Sequence, residues 1–246
     1  MKEIFAYGLM AVILLSCNQK DTLCIYMVGD STMSVKKPEV APETGWGMVL
    51  SAFFDDAVII KNHAKNGRST KSFIVEGRWI NVLDSLTQGD FVLIQFGHND
   101  QKHNSPERYT KPYGDYYRNL KKFVVESRQK GATPILLTSI VRRKFSEDGQ
   151  LIDTHGDYPK AMRKVAENLN VGLVDLQKLT HHLVDSLGSE KSKVLYVWTK
   201  NSDLFPEGRQ DDTHLSVQGA EKVAALAVQE LRKLIGDLKQ HIVNHP

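Results

Sequence analysis

Residues 23–28 (LCIYMV) form an unbroken apolar run, which ends at the polar turn Gly29-Asp30-Ser31-Thr32. A short apolar run without polar alternation predicts a strand that is covered on both faces, as strands of parallel sheets usually are. In such sheets, ligands bind beyond the carboxyl ends of the strands. The turn after this first run is therefore the first place to look for functional residues.

Four similar runs of five or six residues follow along the chain, at residues 57–61 (AVIIK), 91–96 (FVLIQF), 134–139 (PILLTS) and 171–176 (VGLVDL). Helical patterns lie between and after them, at residues 115–130, 158–169 and 217–235, with Ser216 as an N-cap of the last. Strand and helix in alternation predict an α/β fold, a three-layer α/β/α sandwich around a five-stranded parallel sheet. No linker or repeat interrupts the pattern, so we expect one domain over residues 17–246.

Composition excludes several classes of protein. The 246 residues are 41% hydrophobic and 25% charged, which is typical of a globular protein. Lys and Arg number 32 against 29 Asp and Glu, and a net charge of +3 is too small to indicate nucleic-acid binding. The longest positive run, Arg142-Arg143-Lys144, is typical of a solvated loop. The two cysteines, Cys17 and Cys24, are too few for a disulfide framework or a cysteine-based zinc site.

The amino terminus has the pattern of a targeting segment. Residues 4–15 (IFAYGLMAVILL) follow Lys2, and twelve apolar residues are too few for a bilayer core, which takes about 20. The segment ends in Leu14-Leu15-Ser16-Cys17, which resembles a bacterial lipoprotein signal. We expect a signal peptide over residues 1–16 and lipid attachment at Cys17. The protein is therefore expected to be exported, either to the cell envelope, in the periplasm or as a membrane-anchored lipoprotein, or into the medium. A simple cleaved signal and a buried first helix are the alternatives.

Four polar blocks carry the chemistry. They occupy residues 29–34, 62–69, 97–100 and 211–214, and the first three directly follow predicted strands. Each block alone is a common turn sequence. Together they supply a serine nucleophile, an imidazole base, a carboxylate to orient that base, and amide donors.

In this order the four blocks resemble the SGNH (GDSL-like) hydrolases, and the resemblance spans almost the whole chain after residue 22. It narrows to the rhamnogalacturonan acetylesterase-like branch on five features, which are Gly-Asp-Ser-Thr at 29–32, Asn-x-Ala-x-x-Gly-Arg-Ser at 62–69, Gly-Asp at 89–90 leading to Gly-His-Asn-Asp at 97–100, Arg142-Arg143, and Thr-His-Gly-Asp-Tyr-Pro at 154–159. Asp212 stands where many relatives have glycine. The resemblance implies the flavodoxin-like SGNH fold.

The resemblance also assigns catalytic roles. Ser31 is expected to be the nucleophile and His214 the base that takes its proton, while Asp211 orients His214 from three residues away in the same loop. The expected oxyanion donors are the backbone N–H groups of Ser31 and Gly67 and the side-chain amide of Asn99.

Other residues have competing interpretations. Arg68 is expected either to orient a sugar acid or to form a surface salt bridge, and His98 either to touch substrate or to brace its turn. His155 is expected to line the site because of its loop after the fourth strand. Asp100 is interpreted as a loop brace. The three tryptophans are expected to pack in the core: Trp46, Trp79 and Trp198.

These expectations add up to a serine esterase that removes O-acetyl groups from plant cell-wall polysaccharide, acetylated rhamnogalacturonan first. Neither a metal nor an organic cofactor is expected, and contact with membranes is expected only through the amino-terminal lipid. Acetylated xylan or another acetylated polysaccharide or oligosaccharide is the nearest alternative substrate. Since the loops at 98–114 and 142–157 are polar, a lipase or thioesterase on the same scaffold fits less well. Two more distant alternatives are a carbohydrate-binding lipoprotein and a metal-dependent phosphoesterase, the latter with ligands from Asp30, His98, Asn99, Asp100 and His214.

Overall fold

A computed structural model describes residues 22–243 of the chain. Its centre is a parallel sheet with the strand order β2-β1-β3-β4-β5. The strands are β1 (Leu23–Gly29), β2 (Val58–Asn62), β3 (Phe91–Gln95), β4 (Thr133–Leu137) and β5 (Gly172–Val174). The five-stranded parallel sheet predicted from the apolar runs is confirmed, and each strand lies within two residues of its run at either end.

Seven α-helices accompany the sheet within residues 22–243. They are α1 (Trp46–Val49), α2 (Thr70–Val75), α3 (Arg78–Ser85), α4 (Tyr117–Gln129), α5 (Asp157–Leu169), α6 (Leu176–Lys191) and α7 (Val217–Leu234). The three predicted helices correspond to α4, α5 and α7, and the predicted cap of α7 is present, since Ser216 Oγ accepts the N–H of Gly219 at 3.1 Å. Residues 115 and 116 belong instead to a wider turn, Pro112–Tyr116, that precedes α4.

The sheet is covered on both faces, which explains its unbroken apolar strands. Along β1, Ile25 and Met27 face a core shared with α1, α6 and α7. The alternate residues Tyr26 and Val28 face a second core, shared with helices α2 to α5. Cys24 lies in that second core as a buried free thiol. This arrangement directs the polar residues that follow each strand to one edge of the sheet.

A two-stranded antiparallel hairpin stands beside that edge. It consists of β6 (Tyr196–Thr199) and β7 (Arg209–Leu215), with a register shift between Tyr196 and Val197. The expectation that Asp211 and His214 share a loop was wrong, because both lie on β7. The polar sequence of β7, RQDDTHL, has neither an apolar run nor regular alternation, so it gives little strand signal.

The predicted signal peptide at residues 1–16 and the proposed lipid-bearing Cys17 lie outside the described residues. Within residues 22–243, none of the helices is both long and apolar enough to cross a membrane.

Candidate active site

Ser31 lies in the tight turn that leaves β1. The carbonyl of Asp30 accepts the N–H groups of Met33 and Ser34, so the chain coils as soon as the strand ends. Beneath the turn, Asp30 is fully buried, and its Oδ1 accepts the backbone N–H and the hydroxyl of Thr32 at 3.0 and 2.9 Å. Asp30 therefore braces the turn that presents Ser31.

The hairpin places His214 and Asp211 against Ser31. Nε2 of His214 is 3.0 Å from Oγ of Ser31, and Nδ1 of His214 is 2.7 Å from Oδ2 of Asp211. The other oxygen of Asp211 accepts the backbone N–H groups of Thr213 and His214 at 2.8 and 2.9 Å. The three side chains thus form a continuous chain of hydrogen bonds, in the order that a serine hydrolase requires.

Asp211 is held in its charged form. Burial alone would raise its pKa, but the hydrogen bonds from the His214 side chain and backbone outweigh burial and hold the pKa far below its usual range. A permanent carboxylate at this position fixes Nδ1 of His214 as the protonated nitrogen. Nε2 is then free to accept a proton from Ser31.

The loop after β2 brings Gly67 to the same edge. Asn62, the last residue of β2, donates from Nδ2 to the carbonyl of Met33 at 2.9 Å, which ties this loop to the turn of Ser31. Gly67 has a φ of 74°, in the left-handed region that glycine adopts without strain. Asn99, in the turn after β3, is buried and donates from Nδ2 to the carbonyl of Arg68 at 3.1 Å. Since an amide nitrogen carries two hydrogens, one hydrogen of Asn99 remains for a ligand.

A series of linked ion pairs contacts Asp211 through Arg209. Nη2 of Arg209 lies 2.7 Å from Asp211 and 2.6 Å from the buried carboxylate of Glu43. Nζ of Lys36 lies 2.8 Å from Glu43 and donates at 2.8 Å to Oδ1 of Asn66, the neighbour of Gly67. These ion pairs therefore connect the hairpin to the Gly67 loop. Sequence reasoning missed them, because Glu43 and Arg209 are 166 residues apart and carry no motif.

Some acidic and histidine side chains lie close enough together to be considered as ligands of a metal ion. Among residues 22–243, Glu43, Asp211 and His214 offer ligand atoms within 4.8 Å of one another. The guanidinium of Arg209 already forms ion pairs with the carboxylates of Glu43 and Asp211. It therefore supplies a positive charge in this cluster. In the same part of the chain, Asp30, His98, Asp100 and His214 of the phosphoesterase hypothesis do not form such a group, and Oδ1 of Asp100 accepts the hydroxyls of Thr70 and Thr110. Asp100 is the loop brace that the sequence predicts.

His98 and His155 meet as a buried pair. Nε2 of His155 lies 3.3 Å from Nδ1 of His98, and both side chains are at most 3% exposed. Burial, with the nearby charge of Arg142, lowers the pKa of His155 to about 3, and burial together with His155 lowers the pKa of His98 as well. Both imidazoles are thus neutral at neutral pH. His155 forms part of the wall of an open cleft of about 420 Å³, together with Gln101 and His103.

Two other sequence expectations have clear outcomes. Arg68 forms the salt bridge of its second interpretation, with Nε 2.9 Å from Glu76. The expectation of a solvated run at Arg142-Arg143-Lys144 was wrong for Arg143, which is buried and lies 2.6 Å from Asp212. The negative charge at position 212 thus has a buried arginine as its partner.

The tryptophans differ from one another. Trp46 and Trp79 are buried, as expected of core residues. Trp198 on β6 is half-buried and donates from Nε1 to Asp212 at 2.8 Å. The guanidinium of Arg143 lies 4.7 Å from the centre of the Trp198 ring. Trp198 therefore packs against the edge of the core, as expected, and also contributes to the polar contacts of the hairpin.

Comparison with known proteins gives a consistent result. The model of the GDSL-like lipase/acylhydrolase family matches residues 27–222. Rhamnogalacturonan acetylesterase RhgT of Bacillus subtilis (strain 168) is 42% identical over 227 residues, which are 92% of this chain and 96% of that protein. The crystal structure of the protein YxiM from Bacillus subtilis has a TM-score of 0.72 and 27% identity, and the match covers 87% of this chain and 57% of that one. A catalytic mutant of Axe2, an acetylxylan esterase from Geobacillus stearothermophilus, has a TM-score of 0.62 and 18% identity over 87% of this chain and 96% of that one.

Proposed function

Since the chain belongs to the GDSL-like lipase/acylhydrolase family, we propose that it is a serine esterase that removes O-acetyl groups from carbohydrate, with acetylated rhamnogalacturonan as its substrate. One observation carries the proposal, the unbroken contact from Ser31 Oγ to His214 Nε2 and from His214 Nδ1 to Asp211. A serine hydroxyl is a weak nucleophile until a neighbouring base takes its proton. Here that base and its orienting carboxylate are in place before substrate binds.

The first half of the reaction forms an acetyl-enzyme. Ser31 Oγ attacks the carbonyl carbon of the acetyl ester while His214 Nε2 takes the hydroxyl proton. Negative charge develops on the carbonyl oxygen, where the N–H groups of Ser31 and Gly67 and the amide of Asn99 donate hydrogen bonds. The intermediate collapses, the ester bond to the sugar breaks, and His214 gives the proton to the departing sugar oxygen, which leaves as a hydroxyl group.

The second half of the reaction regenerates the enzyme. A water molecule replaces the sugar, loses a proton to His214 Nε2, and attacks the carbonyl carbon of acetyl-Ser31. The same three donors stabilise the second oxyanion. Collapse of this intermediate breaks the bond to Ser31 Oγ, which regains its proton, and acetate leaves.

The substrate assignment has two supports. The first is the 42% identity to a rhamnogalacturonan acetylesterase over nearly the full length of both chains. The second is the polar character of the loops after β3 and β4, at residues 98–114 and 142–157, which suits a sugar polymer better than an acyl chain.

Acetate release from two polymers tests the proposal. The purified protein and Ser31→Ala are incubated with acetylated rhamnogalacturonan and with acetylated xylan, and acetate is measured. Release from rhamnogalacturonan by the unsubstituted protein, and not by Ser31→Ala, is the expected result. Release from xylan alone would contradict the assigned substrate and indicate an acetylesterase that acts on a different polysaccharide. Equal release by the two proteins would remove Ser31 from the mechanism.

We further propose that the protein is exported and that Cys17 carries a lipid anchor. The support is the sequence of residues 2–17, with its positive charge, its short apolar segment and its terminal cysteine. Intact-mass measurement of protein from the membrane fraction is expected to show a lipidated chain that begins at Cys17. A chain that retains Met1 would contradict the proposal.

A further inference from the structure

Three cationic side chains lie around the proposed oxyanion site. Nη2 of Arg142 donates to the carbonyl of His98, the residue before Asn99, at 3.4 Å. Lys102 is exposed, and its backbone N–H donates to the carbonyl of Asn99 at 3.2 Å. Nη1 of Arg108 lies 3.9 Å from the position that a Cβ on Gly67 would take. Each cation is therefore attached to, or in contact with, the segment that carries one of the proposed oxyanion donors.

Arg142 lacks the partner that other arginines near the site have. Its guanidinium is half-buried and contacts neutral oxygens, the carbonyl of His98 and the carbonyl and hydroxyl of Thr154 at 3.3 to 3.5 Å. Arg143 and Arg209, by contrast, each lie 2.6 Å from a carboxylate oxygen. Within residues 22–243, Arg142 forms no ion pair. A guanidinium that is partly removed from water without an anion is costly, and a ligand carboxylate would offset that cost.

The surroundings add positive charge and little negative charge. Burial and the charges of Arg108 and Arg142 lower the pKa of Lys102, so the three cations lie close enough to repel one another. Glu107 is the carboxylate that pairs with Arg108, at Nε, and its own side chain is largely exposed. On the other side, Asp153 accepts the backbone N–H of His155. The carboxylate beneath the site, Asp30, is fully buried, and burial raises its pKa.

A buried nitrogen in the same cluster also lacks a partner. Nε2 of His98 has no hydrogen-bond partner, although the side chain is 3% exposed. His98 lies between His155, which its Nδ1 contacts, and Arg142, which its carbonyl holds. An unpartnered buried polar atom beside a guanidinium without an ion pair is unusual in a region that serves only the packing of the protein.

We propose that Lys102 and Arg142 bind the carboxylate of a uronic acid unit next to the acetyl group that is removed. This inference rests on the proposed function and adds to it the requirement for a free, ionised carboxyl group in the substrate. The planar guanidinium of Arg142 can donate two parallel hydrogen bonds to a carboxylate, while Lys102 adds a mobile positive charge. Arg68, which the sequence offered for a sugar acid, is occupied by Glu76.

Esterification of the substrate tests the inference. Acetylated rhamnogalacturonan oligosaccharides are used with free carboxyl groups and after conversion of those groups to methyl esters, which leaves the acetyl groups in place. Acetate release gives kcat/KM for each form, and the ratio of the two values is the readout. We expect the wild type to favour the free acid about 10- to 100-fold, as for hydrogen bonds to a charged group.

Three variants show which residues cause the preference for the free acid, measured as the ratio of the two kcat/KM values. Arg142→Gln and Lys102→Gln are each expected to lower the ratio toward one. Arg128→Gln is the matched control, because Arg128 also donates to two carbonyls, those of Leu169 and Asn170, but is exposed at the end of α4. It is expected to keep the wild-type ratio. Lys102 is exposed, so its variant keeps the test valid even if Arg142→Gln does not fold.

Three results would overturn the inference. Equal kcat/KM of the wild type for the two forms would do so and leave the proposed function standing. A wild-type preference that both variants retain would place carboxylate recognition elsewhere. Failure of the wild type to release acetate from either form, while it still hydrolyses 4-nitrophenyl acetate, would overturn the inference together with the proposed carbohydrate substrate.

Discussion

At the scale of single residues, the site combines side chains whose roles follow from their type and their neighbours. Nε2 of His214 lies 3.0 Å from Oγ of Ser31, the proposed nucleophile, and Asp211 contacts Nδ1 of His214 at 2.7 Å, which favours the tautomer that leaves Nε2 free to accept a proton. Asn99 differs from these three, since it neither titrates nor bonds to substrate covalently. Its proposed contribution is a fixed hydrogen-bond donor, which is worth most where water is excluded.

Asn99→Ala is expected to lower kcat by roughly 100- to 1000-fold, because one oxyanion donor is lost while the nucleophile and base remain. Steady-state kinetics with 4-nitrophenyl acetate measures this effect. Asn168→Ala is a suitable control, since Asn168 is exposed and bonds to Tyr117 on the outer side of α5. A kcat near the wild-type value in Asn99→Ala would show that the oxyanion is stabilised by other groups.

The sequence predicts well that these residues lie near one another, and it predicts their ionic support poorly. Ser31, Gly67 and Asn99 follow apolar runs, so the rule for parallel sheets is enough to place them at one edge. Lys36, Glu43 and Arg209 belong to no motif and meet only after the chain has folded. Arg143 was misjudged for a related reason, because a run of three basic residues does not reveal which member is buried.

At the scale of elements, the active site forms where a sheet edge and a hairpin meet. The turn after β1 carries Ser31, while β7 carries Asp211 and His214. The ion pairs of Glu43 join the two parts, since Glu43 contacts Arg209 on β7 and Lys36 after the turn of β1. The geometry of Ser31 and His214 therefore depends on a contact outside the catalytic residues themselves.

Glu43→Gln is expected to lower the free energy of unfolding by about 3 kcal/mol, because it leaves Lys36 and Arg209 without a shared buried carboxylate. It is also expected to reduce kcat more than it raises KM, since Arg209, which contacts Asp211, is then no longer held by Glu43. Chemical denaturation and steady-state kinetics measure the two effects. Glu190→Gln breaks a pair with Lys193 at an exposed position and serves as the control. If both variants behave alike, the buried pairs have no special role.

At the scale of the whole molecule, the two cores on opposite faces of the sheet are what the sequence predicts most completely. Five apolar runs indicate five strands, and alternate residues of β1 face different cores, as strands of a doubly covered sheet must. The hairpin was missed because β7 is polar along its length. Its position is fixed by Leu215 in the core and by ion pairs, and not by the apolar alternation that reveals most strands.

Stability toward acid is a property of the whole fold to which one buried pair contributes. Burial lowers the pKa of His155 from 6.5 to about 3 on folding. Between these pH values, His155 is protonated in the unfolded chain and neutral in the folded chain. Stability is therefore lost as the pH falls from about 6.5 toward 3, at up to about 1.4 kcal/mol per pH unit for this residue. Denaturation at several pH values between 6.5 and 4 is expected to show a shallower slope in His155→Asn. His182→Asn, on the exposed face of α6, controls for the loss of an imidazole. Equal slopes in the wild type and His155→Asn would contradict the expected effect of burial.

Labelling with a fluorophosphonate tests the central claim, that Ser31 is the activated nucleophile, most directly. The reagent bonds to serine hydroxyls that a base activates, and peptide mapping by mass spectrometry locates the adduct. The account predicts one adduct, on Ser31, and its loss in His214→Ala, where the residue that takes the proton is absent. An adduct on another serine, or labelling of Ser31 that persists in His214→Ala, would contradict it.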